Sequence, residues 1–314
     1  MLPTVFSRPR RSTVVPERLF AVPVALAPQR GRLPWKQPAE FVNSAVLSIK
    51  AASPSSKSGS RQMPFTLYNA PQSTCSQRVR FVLNAKGLPF EEIKLDLLAG
   101  DQLKPEYLAL NPNGVVPTLD HDGAIVIDSS VIIEYLDEVA PDRERFTPQD
   151  PVKRAHMRAL MRFIDEMPAA AVRVPTFNLA FLPRFAAMSE EEFLAFAELK
   201  PLRKEFMMAM GRTGFPQKEM DAALQRLRRT YERMDAEIEK SGGPWLLGRE
   251  VSLADIALMP AIVRMADLGQ ATAWQDLPRV QHWYDAICRH PAFRSTYYPG
   301  SLLSERFPHL RTRA

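Results

Sequence analysis

Two short stretches carry side chains with chemical potential. Ser73-Thr74-Cys75-Ser76 puts three hydroxyls and one of the chain's two thiols in four consecutive residues. It follows the β-prone run Phe65-Thr66-Leu67-Tyr68 and the breaker Asn69-Ala70-Pro71-Gln72. It leads into residues 77–86, with Val79, Val82 and Leu83 at helical spacing and Gly87 as a stop. A helix that opens on small polar residues is a place to hold an anion, because its first N–H groups point outward and its dipole favours negative charge. A hydroxyl there donates to an anion, and a thiol there can itself ionise. The same residues also serve as plain helix caps, and from this stretch alone the two readings stand level. Asp128-Ser129 is the second stretch, capping a helix that carries Val131, Ile132, Tyr135 and Leu136.

The elements that position these residues are legible. Residues 63–143 read as a compact α/β unit. A second strand is expected over 90–96, and a βα crossover into it implies parallel pairing. Residues 100–110 read as a loop with a short helix, and Asn111-Pro112-Asn113-Gly114 as a turn. Residues 115–119 enter a third strand, and Asp122-Gly123 marks a hairpin into a fourth.

The order β-α-β-α-β-β-α, with a proline ahead of the third strand, resembles a thioredoxin fold of the glutathione transferase type. Ser73-x-Cys75-Ser76-x-Arg78-Val79-Arg80 is similar to the serine motif of the zeta class. Asn111-Pro112, Val116-Pro117-Thr118-Leu119 and Asp128-Ser129 resemble the glutathione-binding signatures in order and spacing. The resemblance implies glutathione as co-substrate, with Ser73 stabilising its thiolate and Thr74 and Cys75 adjacent. It implies that Gln102 contacts the tripeptide, that Val116 before a cis Pro117 pairs with it as an extra strand, and that Asp128 and Ser129 hold its γ-glutamyl end. Asp128 departs from the pattern, since the family usually has Glu or Gln there, and its side chain is one methylene shorter.

Residues 150–300 read as an all-α domain, which the resemblance also implies. Asp150-Pro151 opens its first helix, with Met157, Leu160, Met161 and Ile164 as the apolar stripe. The helical pattern is expected to break at Met167-Pro168 and again at Val174-Pro175. Ser189-Glu190-Glu191-Glu192 reads as a capping box, residues 200–216 as a basic, Met-rich insertion, and 217–240 as a long amphipathic helix. Ser252-Leu253-Ala254-Asp255 starts a buried helix and is similar to the family's helix-capping motif. The tail, 301–314, is expected to be flexible. Residues 177–215 exceed the compact family form, and the stretch from Arg212 through Phe215 to Met220 is similar to the bacterial β-etherases of lignin breakdown, which use glutathione to cleave β-aryl ethers. The electrophile pocket is expected to be apolar, with Met161, Phe177 and Phe181 as candidates; Met and aromatic residues at helical spacing equally suit a core.

Composition bounds the rest. Two cysteines, Cys75 and Cys288, make neither a disulfide framework nor a zinc set, and the five histidines lack metal-ligand spacing. No metal, nucleic-acid or membrane role is expected. Residues 1–62 hold ten Lys or Arg against Glu17 and Glu40, a local +8, so the rest of the chain carries −2 of the overall +6. Eight prolines and an Arg/Ser-rich, acid-poor composition make 1–62 a disordered extension: a transit peptide, a tail, or upstream sequence with Met63 as the start, the last being the favoured reading. A cytoplasmic homodimer is expected, with an organelle-targeted form left open. The leading function is a glutathione transferase acting on an aromatic or aryl-ether electrophile, in the manner of a β-etherase. The alternatives are a zeta-like glutathione-dependent isomerase, a lyase or thiol transferase built on Cys75, and a non-catalytic ligand-binding protein.

Overall fold

The computed structural model describes residues 65–313. The expectations for residues 1–62 lie outside that range. Strand β1 (Phe65–Asn69) leads through a turn to α1 (Thr74–Ala85) and then β2 (Phe90–Lys94), which stops two residues short of its expected end. A short helix α2 (Pro105–Leu108) precedes β3 (Thr118–His121), β4 (Ala124–Ile127) and α3 (Ser129–Val139). The sheet order is β2-β1-β3-β4. β1 and β2 run parallel, as the crossover requires, and the other pairs are antiparallel. Leu67 and Leu119 face each other across β1 and β3 and are fully buried beneath α1 and α3.

The helical half begins with α4 (Pro151–Glu166), capped by Asp150 Oδ1 on the Lys153 N–H at 2.7 Å. The chain then steps through α5 (Pro168–Ala171), α6 (Arg173–Thr176), a π-helical turn (Phe177–Phe181) and α7 (Leu182–Ala186). The break at Pro168 is a boundary as expected. The one at Pro175 is not, because Pro175 sits in the first turn of α6, where the missing N–H costs no helical bond. The insertion is itself helical, forming α8 (Glu190–Glu198), with the expected capping box at Ser189, and α9 (Lys204–Met210). These pack around Phe185, Phe193 and Met207 as a small core of their own. Asn178 clamps the far end: its Nδ2 donates to the Phe215 carbonyl at 2.8 Å and its Oδ1 accepts from the Phe215 N–H at 2.9 Å.

Helices α10 (Gln217–Ser241), α11 (Leu253–Asp267), α12 (Pro278–Arg289) and α13 (Pro291–Thr296) complete the main core. Residues 253–265 of α11 are all buried, including Asp255, whose carboxylate accepts from the N–H groups of Leu246 and Ser252, the Ser252 hydroxyl and Trp283 Nε1 at 2.6–3.0 Å. The tail corrects an expectation. Rather than lying loose, it forms α14 (Leu303–Arg306) and a 3₁₀ turn (Pro308–Arg313), because Leu303 and Leu310 join the main core. No helix among the described residues is long and apolar enough to cross a membrane.

Candidate active site

Helix α1 is fixed before it can act. Arg80, fully buried, donates to Asn69 Oδ1 at 2.6 Å and to the carbonyls of Pro71 and Thr296 at 2.8 and 3.0 Å, so the turn between β1 and α1 is tied from beneath. Arg78 donates to the Ala257 carbonyl of α11 at 2.8 Å, to Asp165 of α4 at 2.6 Å, and to the hydroxyls of Ser129 and Ser130 at 3.3 and 3.2 Å. The two arginines lock α1 to both halves of the molecule.

The N-terminus of α1 opens onto a cavity of about 260 Å³. Ser73 is the N-cap, its Oγ accepting from the Ser76 N–H at 3.3 Å, so the hydroxyl proton remains available to a ligand. Ser73, Thr74 and Cys75 all line the cavity. On the same wall stand Gln102 and Val116. Gln102 is buried, and its Oε1 has no hydrogen-bond partner among the described residues. The Val116–Pro117 peptide is cis. The loop before it is held by Tyr107 Oη and Asn111 Nδ2, which donate to the Val115 carbonyl at 2.6 and 3.0 Å, while the backbone of Val116 makes no hydrogen bond among the described residues.

Pro117, Asp128 and Ser129 do not line the cavity. Asp128, at φ 73°, caps α3: its Oδ1 accepts from Ser130 and Val131, which leaves Oδ2 without a partner among the described residues, on an exposed residue. The Ser129 hydroxyl accepts from Arg78. Among the pocket candidates, Phe177 and Phe181 line the cavity, with ring centroids 5.1 Å apart, edge to face. Met161 does not; it is packed in the main core among the α4 stripe. The tail closes part of the rim through Leu303, Arg306 and Phe307. Arg306 pairs with Asp96 at 2.8 Å, and Phe307 stacks edge-on against Phe181 at 5.4 Å.

The expected apolar pocket is only half of what forms. Among the described residues, five cations line the cavity, Arg173, Lys200, Arg203, Arg264 and Arg306, and no carboxylate does. Burial pushes the Lys200 ammonium down to about 8, helped by the charge of Arg184. Burial, then the like charge of Arg203, pushes Arg173 down to about 10, against the opposing pull of Cys75. Arg264 is pushed to about 10 by burial. Cys75 thus lies within electrostatic reach of Arg173, Arg203 and Arg264. Sequence reading missed these cations because a basic run ordinarily faces solvent. The only hint was that the run interrupts a stretch rich in phenylalanine. The insertion and the first wall meet at Gly114, at φ 59°, where an added Cβ would stand 3.1 Å from both Leu103 Cδ2 and Pro201 Cδ.

Comparison with known proteins adds to this geometry. Residues 67–144 match the family model for the glutathione S-transferase N-terminal domain, and residues 217–286 that for the C-terminal domain. The chain is 29% identical over 242 residues to the protein LigF of Sphingobium sp. strain SYK-6, covering 75% of this chain and 93% of that one. It is 31% identical to the maleylacetoacetate isomerase of Pseudomonas aeruginosa, covering 74% and 94%. The crystal structure of the β-etherase LigF superposes with a TM-score of 0.68 at 28% identity, covering 75% of this chain and 99% of that one.

Proposed function

Because the chain belongs to the glutathione transferase family, we propose that it presents the glutathione thiolate at the N-terminus of α1 to an aromatic or aryl-ether electrophile, in a β-etherase-like reaction. Glutathione is the family's co-substrate. The residues present fit it: Gln102 keeps a buried acceptor in need of a donor, Val116 keeps both backbone groups unused, and Asp128 keeps Oδ2 for an ammonium. Ser129 would take the γ-glutamyl carboxylate, since the N–H groups of Ser130 and Val131 are engaged by Asp128 Oδ1.

A thiol of pKa near that of cysteine, roughly 8.5, is mostly protonated at neutral pH. Ser73 supplies a hydrogen bond to sulfur, while the start of α1 supplies a positive field; both favour the anion. In the reaction a C–S bond forms as a C–O bond breaks. The electron pair leaves with the aryl oxygen, which takes a proton from water, giving a thioether and a phenol. Holding sulfur and carbon in one cavity contributes much of the acceleration. The observation that carries this reading is the phenylalanine-lined cavity opening directly on Ser73.

A second reading, a lyase or thiol transferase using Cys75, is favoured by the placement of that thiol in the same cavity beside three arginines. On family grounds we also propose a cytoplasmic homodimer. The test is a mass-spectrometric product screen with glutathione and a panel holding a β-aryl ether, a chlorodinitrobenzene and a cis-unsaturated diketo acid. A glutathione thioether plus free phenol is expected. Isomerised diketo acid alone points to the isomerase, and glutathione binding with no product at all points to a binding protein.

A further inference from the structure

The insertion does more than enlarge an aromatic pocket. Lys200 is only 8% exposed, yet its ammonium makes no hydrogen bond or ion pair among the described residues. Its one close partner is the ring of Phe196, with Nζ 4.1 Å from the centroid. Three residues on, across the turn closed by the Arg203 N–H on the Lys200 carbonyl at 3.3 Å, Arg203 also lines the cavity without a side-chain partner among the described residues. Arg173 of α6 does the same. The other two cavity cations are engaged: Arg264 donates to the Gln72 carbonyl, and Arg306 pairs with Asp96.

A buried cation without a counter-ion is costly, and folding proteins usually pair it. Buried Lys200 and half-buried Arg173 and Arg203, with no acid among the described residues of the lining, make a site that an anion would complete. Its location says which anion. Lys200 lies on the face of Phe196, and Phe177 and Phe206 pack edge to face at 4.9 Å on the same side. The Lys200 charge is therefore set among the aromatic side chains of the insertion. A flat ring bearing a carboxylate satisfies both at once.

We infer that Arg173, Lys200 and Arg203 form a carboxylate-binding subsite that selects aromatic electrophiles carrying an acidic group. This rests on the glutathione-transferase reading given above. The experiment is calorimetric binding of three ligands: glutathione, S-benzylglutathione and S-(4-carboxybenzyl)glutathione. Wild type is compared with Lys200→Met and Arg203→Gln, each first checked for an unchanged circular dichroism spectrum and melting transition. The carboxylated thioether is expected to bind wild type about tenfold or more tightly than its neutral analogue, the contribution of one or two charge-assisted hydrogen bonds. That preference should vanish in Lys200→Met and shrink in Arg203→Gln, with S-benzylglutathione unaffected. Equal binding of the two thioethers to wild type, or a preference that survives in both variants, overturns the inference and leaves the proposed reaction intact. Equal weakening of all three ligands also overturns it, since the cations would then serve the tripeptide's own carboxylates. If wild type binds none of the three, the glutathione reading itself falls and takes the inference with it.

Discussion

At the residue scale, the hydroxyl of Ser73 has two jobs that do not compete. Its lone pair caps α1 and its proton faces the cavity. Ser73→Ala is therefore expected to cost about 1 kcal/mol of stability from the lost cap. It should also raise the pKa of bound glutathione thiol by about one unit or more, the loss of one donor to an anion. An ultraviolet thiolate titration of the complex checks the second effect. An unchanged titration would pass the role to Cys75. Lys200 yields a prediction of opposite pH sense. Its ammonium is held at about 8 when folded against 10.5 for the free group. Between those values the unfolded chain binds a proton that the folded one does not, so this group makes stability rise with pH from about 8 upward and contributes no slope below. Urea melts of wild type and Lys200→Met across that window should diverge in this direction, and parallel curves would refute it. Over the same window any affinity for a ring-borne carboxylate should decline as the ammonium discharges.

At the element scale, α11 is the beam to which α1 is tied through Arg78, and Asp255 fixes its start. Four donors converge on a carboxylate with no solvent contact. Asp255→Ala leaves them buried and unpaired, and a loss of about 3–5 kcal/mol in denaturant unfolding is expected. Ser252→Ala removes one donor to that carboxylate, keeps the rest and should cost about 1 kcal/mol. Equal losses from the two variants would mean that the acid is not the hub. The insertion is held differently, by Asn178 on Phe215 and by Arg184, whose Nη2 donates to the Leu98 carbonyl at 2.7 Å. These are a few polar links around a small core, so α8 and α9 should exchange amide protons faster than α11. Hydrogen exchange read by mass spectrometry checks that ranking.

At the scale of the whole molecule, most of the fold was legible from the chain, and the site was legible in part. Strand alternation, the Asp122-Gly123 turn and the capping patterns at Ser189 and Ser252 are local signals, and each forms where its residues lie. Phe177 and Phe181 were legible as a stripe one helical turn apart. Met161, in the same kind of stripe, turned inward because α4 presents that face to α11, which no local pattern reveals. The tail was misread because its two anchoring leucines are too widely spaced to show a period. The cations of the wall were missed because burial of a charge is a property of the finished cavity and not of a segment. One contact in that cavity has a wider consequence. Gly114 lets the loop beside Val116 abut Pro201, two walls sharing one van der Waals surface. Substituting alanine there should strain the backbone and wedge the walls apart, and glutathione affinity should fall even though no group that touches it has changed. By the same token, an insertion loop rebuilt around Pro201 would press on the Gly114 loop, so such a swap should be read on glutathione affinity as well as on substrate choice.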